Sequence, residues 1–214
     1  MFRGVWIGKS IPEKDRILIL GESHYGEFNP EEDTTSVVAE YIRQVKQCDK
    51  RRWSRFFDCI ANSFGYTDDK SAFYDKVYFG NYVEVPCGVG NDKAEQNIKI
   101  NRINYNNHLF EFINEYKIKT ICCFSRLVYN NLPSLSDHEN EELLAVYNEN
   151  TKRNGYLGYY VYSPEIERNN TTIKLNNALS VIGVMHPASR GFDYMIVHDF
   201  LTKREELRWI IKKG

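Results

Sequence analysis

ILILGESHYG, residues 17–26, decides the reading of this chain. Four consecutive apolar residues show no alternation, so the run fits a strand covered on both faces, the pattern of a parallel sheet clad by helices. It halts at Gly21, and Glu22, Ser23, His24 and Tyr25 follow without a spacer. A buried strand that ends on a carboxylate, a hydroxyl, an imidazole and a phenol presents reactive groups at a sheet edge.

Three further runs resemble the first: KVYFGNYVEV at 76–85, TICCF at 120–124 and LSVIGVM at 179–185. Between them the spacing predicts helices. TTSVVAEYIRQVKQ, 34–47, opens on threonines able to cap and sets Val37, Val38, Tyr41, Ile42 and Val45 at helical intervals. INRINYNNHLFEFINEYK, 100–117, puts Ile103, Leu109, Phe110 and Ile113 on an inner side. SRLVYNNLP, 125–133, gives a short helix closed by Pro133, and FLTKREELRWIIKKG, 200–214, gives the last. This alternation predicts an α/β three-layer sandwich with right-handed crossovers, in which a central four-stranded parallel sheet is flanked by helices. Residues 151–175, rich in Tyr, Thr and Asn, read as a hairpin or surface excursion. With no linker, repeat or low-complexity tract, residues 1–214 read as a single domain.

The 214 residues are 42% hydrophobic and 27% charged, enough for one large core. A formal net charge of -1 argues against a grip on polyanions by bulk charge, so nucleic-acid contact has to come from local patches. Two such patches stand out: Lys46, Lys50, Arg51, Arg52 and Arg55 around Trp53, and Lys203, Arg204, Arg208, Lys212 and Lys213 near the end. The plainer reading of either is a solvated helix face. The five cysteines form no CxxC pair and no Cys/His framework, and read as reduced thiols. No apolar run reaches membrane-spanning length, and a soluble, cytoplasmic protein without membrane contact is expected.

Ligands of open α/β sheets bind beyond the carboxyl ends of the strands. Those ends deliver Glu22, Ser23, His24 and Tyr25, then Asn81 and Tyr82, then Ser125 and Arg126, then His186, Ser189 and Arg190. Each has a structural alternative: Glu22 as a cap for turn N–H groups, His24 as packing, Asn81 as the holder of a bulge, His186 as the start of a Pro-fixed turn. No phosphate-binding GxxxxGK[ST] or dinucleotide GxGxxG motif is present, nor a GxSxG elbow, which leaves acyl transfer through Ser23 and His186 as a minor option. Glu22, His24 and His186 lack metal-ligand spacing.

GESHYG at 21–26 and HPAS at 186–189 resemble the two motifs of the uracil-DNA glycosylase superfamily, and GNYVEVPCGVGND at 80–92 is similar to its second-strand segment. The resemblance implies a glycosylase-like α/β fold. It also implies removal of uracil or a modified base from DNA, single- or double-stranded, by base flipping and N-glycosidic hydrolysis. Under it Glu22 and His186 are catalytic, orienting water and stabilising charge on the leaving base. Asn81 reads the base edge, Tyr25 or Phe28 stacks on the base, Ser23 and His24 line the substrate site, and Ser189 and Arg190 touch phosphates or enter the duplex. The proline that usually follows the acidic position is missing. The cysteine set of the iron–sulfur branches is also missing, so no metal or other cofactor is implied, and the protein is expected to act as a monomer. A glycosylase-fold protein that binds nucleic acid or nucleotides without hydrolysis is the alternative.

Overall fold

A computed structural model describes residues 2, 4–24, 33–47, 54–85, 87, 92–133, 142–148, 153–168 and 171–212. In chain order the strands and helices are β1 (Trp6–Ile7), β2 (Arg16–Gly21), α1 (Thr34–Lys46), α2 (Ser54–Ser63), α3 (Lys70–Tyr74), β3 (Tyr78–Asn81), α4 (Asp92–Glu115), β4 (Ile118–Cys123), α5 (Arg126–Asn131), β5 (Glu142–Asn148), β6 (Arg153–Tyr162), β7 (Glu165–Arg168), β8 (Thr171–Lys174), β9 (Leu179–Val184) and α6 (Tyr194–Thr202). None of the described helices is long and apolar enough to cross a membrane.

The fold is α/β, with a mixed sheet flanked by helices. Seven strands run in the order β1-β3-β2-β4-β9-β6-β5. The expected sheet of four parallel strands is therefore too narrow: β2 pairs in parallel with β3 and β4, and β4 with β9, while β1 adds antiparallel at one side and β6 and β5 at the other. Residues 151–175 divide accordingly. β6 enters the main sheet against β9, and only β7 and β8 form a separate two-stranded ribbon. Antiparallel pairing of β6 with β9 joins partners that need no crossover helix, and their sequences carry no mark of it.

Burial explains why β2 reads as a continuous apolar run. Ile17, Leu18, Ile19 and Leu20 are fully buried, and alternate residues enter different cores. Leu18 and Leu20 join Ile121, Cys123 and Val181 in a core closed by Leu109, Phe110 and Ile113 of α4 and Val128 of α5. Ile17 and Ile19 join Phe79, Cys122, Ile182 and Val184 in a second core, closed by α1, α2, α3 and α6 through Val38, Tyr41, Phe57, Ile60, Phe73, Val197 and Phe200. Each buried Leu, Ile or Phe contributes about 1.5–3 kcal/mol of transfer free energy, so the two-sided burial anchors β2 in both cores.

Local departures from expectation have physical causes. α1 is capped not by its threonines but by Asp33, whose carboxylate accepts from Ser36 N–H at 2.8 Å in a capping box. Ile103 is 70% exposed rather than inward; the buried side of α4 runs through Ile98, Tyr105, Leu109, Phe110, Phe112 and Ile113. The last helix begins at Tyr194, capped by Asp193, and stops at Thr202; Glu205–Leu207 form a 3₁₀ turn. The run expected at 76–85 leaves the ladder after Asn81. Tyr82, Val83 and Cys87 N–H then donate to the carbonyls of Gly21, Glu22 and His24, so the chain follows the polar turn beyond β2.

Candidate functional site

Strand order places the site. The chain passes from β2 to β3 on one side, then to β4 on the other, so β2 and β4 form a topological switch point at which the outgoing loops separate and leave a crevice. Glu22 leaves β2 and Ser125 leaves β4 at this point. The Ser125 hydroxyl donates to Glu22 Oε2 at 2.5 Å across a sequence separation of 103 residues. Ser125 is 1% exposed, and its Oγ also accepts from Val128 N–H at 3.3 Å as the cap of α5. The helix thus fixes the hydroxyl, and the hydroxyl fixes the carboxylate.

His186 leaves β9, one strand further on. It is half-buried, and its ring lies 5.1 Å from that of Phe56 on α2. Pro187 turns the chain so that Ala188 N–H donates to His186 Nδ1 at 3.1 Å. An Nδ1 that accepts cannot carry the ring proton, so the neutral imidazole bears it on Nε2. Burial holds the His186 pKa below the ordinary imidazole value, outweighing the opposing attraction of the nearby Glu22 charge. The pair therefore offers a carboxylate held by Ser125 and a neutral N–H donor.

Asn81, at the end of β3, is 6% exposed. Its amide nitrogen donates to His24 Nε2 at 3.0 Å and lies 3.5 Å from Thr34 Oγ1, and His24 Nε2 is 2.9 Å from the same hydroxyl. The network ties the polar turn to β3 and to the start of α1, so Asn81 acts as an anchor for this turn. Gly21 makes the fit possible: a Cβ there would stand 2.3 Å from Asn81 Oδ1. The Ser23 hydroxyl lies 3.2 Å from the carbonyl of His24 and 3.3 Å from that of Val85, and donates to carbonyl oxygens instead of a base. It has no activated-nucleophile geometry with His186.

Ser189 and Arg190 are exposed on the loop after His186, a loop braced by Ser189 N–H to His186 O at 2.8 Å and Phe192 N–H to Ser189 O at 3.0 Å. Tyr25 and Phe28 lie outside the described residues, as do Lys50, Arg51, Arg52 and Trp53 of the first basic cluster. Described members of the second cluster are engaged within the protein. Lys203 pairs with Asp199 at 2.8 Å and Arg208 with Glu205 at 3.1 Å, while Arg204 stacks on Tyr159 and Phe200 and Lys212 covers Tyr66. That cluster fits a packed and solvated face better than a nucleic-acid grip. Among the described residues no group of three or more His, Cys, Asp or Glu is placed to hold a metal ion.

Sequence reasoning brought Glu22, His24, Asn81 and His186 to one sheet edge but missed three participants. Ser125 stood at a strand end without a role, Thr34 was read only as a cap, and Phe56 lay in a stretch given no structure. The spacing Phe57, Ile60, Ala61, Phe64 carries the helical signal that would have found α2. No protein-family model, curated protein or solved structure matches the chain.

Proposed function

We propose that this protein hydrolyses N-glycosidic bonds in DNA, acting as a monomer on uracil or a modified base that is flipped out of the stack. The observation that carries the reading is the held Glu22 carboxylate at the switch point with neutral His186 beside it. Breaking such a bond develops positive charge on the sugar and negative charge on the departing base. Glu22 offsets the first and orients the attacking water; the His186 Nε2–H donates to a base oxygen as the second develops. A neutral imidazole suits that task, since it stabilises a growing oxyanion without first attracting it as a cation.

The four parallel strands at the centre of the sheet, with Glu22 after the first in sequence and HPAS after the last, support a likeness to the uracil-DNA glycosylase fold. Exposed Ser189 and Arg190 are suited to phosphate contact or to holding the flipped nucleotide out of the stack. A base edge that binds Asn81 takes the place of its bond to His24.

One observation favours the alternative of binding without hydrolysis: the Asn81 amide is already engaged by His24 and Thr34. Oligonucleotides carrying uracil, hypoxanthine or modified pyrimidines separate the two. Alkali-labile abasic sites after incubation support the enzyme. Binding to the same oligonucleotides with no abasic site in any of them supports the binding protein and overturns hydrolysis.

A further inference from the structure

The geometry points to a phosphate-binding subsite formed by Arg126, at the start of α5, and Tyr156 of β6. Arg126 directly follows Ser125, the residue that holds Glu22. Its guanidinium carbon lies 4.9 Å from the centroid of the Tyr156 ring, and the Arg126 side chain is exposed. Tyr156 in turn belongs to the strand beside β9, and its carbonyl accepts from Met185 N–H, one residue before His186. The stacked pair therefore bridges the loops that carry the two reactive groups.

Arg204 stacks likewise, on Tyr159 and Phe200 after α6, but Arg126 is the stacked arginine that directly follows a residue of the site. Arg16 donates to the carbonyls of Pro12 and Tyr116, Arg43 pairs with Glu40, and Arg208 pairs with Glu205. Arg126 has no carboxylate partner among the described residues, so none of the described acids competes for its N–H donors. The ring beneath restrains the guanidinium plane, and a restrained fork loses less freedom when it takes an oxyanion. Tyr156 is itself held, edge-on to the buried Tyr129 at 5.6 Å between ring centroids. Tyr129 is fixed by the sheet, where Gly158 and Gly183 leave room for its ring; a Cβ at Gly183 would stand 2.4 Å from it.

A stacked guanidinium is a donor array for a phosphate oxygen, and the chemistry it recognises is the phosphodiester of the nucleotide whose base enters the site. This deepens the glycosylase reading and rests on it for the identity of the ligand. It adds a third contact, besides Ser189 and Arg190, that would register the strand against Glu22.

The test is the affinity of the full-length protein for a single-stranded, uracil-containing oligonucleotide over a range of salt concentrations, with abasic-site formation read on the same strand. Arg126→Ala is expected to weaken binding about tenfold and to make the log–log salt dependence shallower by about 0.7. Tyr156→Leu should reproduce part of that loss, and Tyr156→Phe should not. Unchanged affinity and slope in Arg126→Ala overturn the subsite while abasic-site formation still upholds the glycosylase reading. Arg126-dependent binding with no abasic site supports the subsite and removes the hydrolytic reading. Absence of binding by the wild-type protein overturns both.

Discussion

The Ser125 hydroxyl donates to Glu22 Oε2 at 2.5 Å, joining the ends of β2 and β4 where the sheet order reverses. The bond orients the carboxylate, and α5 fixes the serine.

Removing this bond should therefore separate turnover from binding. Ser125→Ala is expected to lower the single-turnover rate of abasic-site formation by about tenfold or more, at little change in KM, since positioning within the site acts on the transition state. The variant should also lose about 1 kcal/mol of stability, because Ser125 caps α5. Ser125→Thr, which keeps the hydroxyl, should restore the rate. Equal rates in wild type and Ser125→Ala would remove the positioning role.

Stability should depend on pH through His186. Burial lowers its folded-state pKa, so below about pH 6.5 the unfolded chain takes up a proton that the folded protein refuses. The unfolded state then binds more protons, and stability falls as pH drops through 6.5 towards the folded pKa; above 6.5 both states are neutral and the group contributes no slope. Denaturant melts of wild type and His186→Gln across pH 5 to 8 check this, with a shallower acid-side decline expected in the variant. An NMR titration placing His186 above 6.5 would contradict it.

Gly183 should tolerate no side chain. A Cβ there would meet the Tyr129 ring at 2.4 Å, and the ring has sheet on one side and core on the other. Gly183→Ala is expected to cost about 1–3 kcal/mol, seen as a fall in Tm of roughly 2–4 °C per kcal/mol for a chain of this size. A Tm equal to wild type would mean that the ring moves freely.

Asp33 should matter for the site as well as for α1. Asp33→Ala removes the capping box and about 1 kcal/mol, and frays the turn that carries Thr34, whose hydroxyl engages His24. Asp33→Asn should restore stability in thermal melts, since an amide oxygen still accepts the Ser36 N–H.

How much of this was legible in the sequence follows from the range of each interaction. The strands at 16–20, 120–124 and 179–185 are visible because two-sided burial forces an unbroken apolar run. α2 and α3 were missed although Phe57, Ile60, Ala61 and Phe64 keep helical spacing, because aromatic and polar residues share the stretch about equally. The reach of β6 into the sheet could not be read, since its pairing with β9 depends on a partner about twenty residues away whose pattern allows several registers. At the site, Glu22, Asn81 and His186 were legible as strand-end polar residues. The Ser125 bond, the His24–Asn81 contact and the Nδ1 acceptor role of His186 were not, because each depends on backbone placement from a distant or turned segment.

The most direct measurement of the central claim is single-turnover abasic-site formation by wild type, Glu22→Gln and His186→Ala on the preferred oligonucleotide of a modified-base panel. The account predicts cleavage of at least one base by the wild type, with losses of about a hundredfold or more in each variant while oligonucleotide binding persists. Wild-type rates in either variant, or no abasic site from any base in the panel, would contradict it.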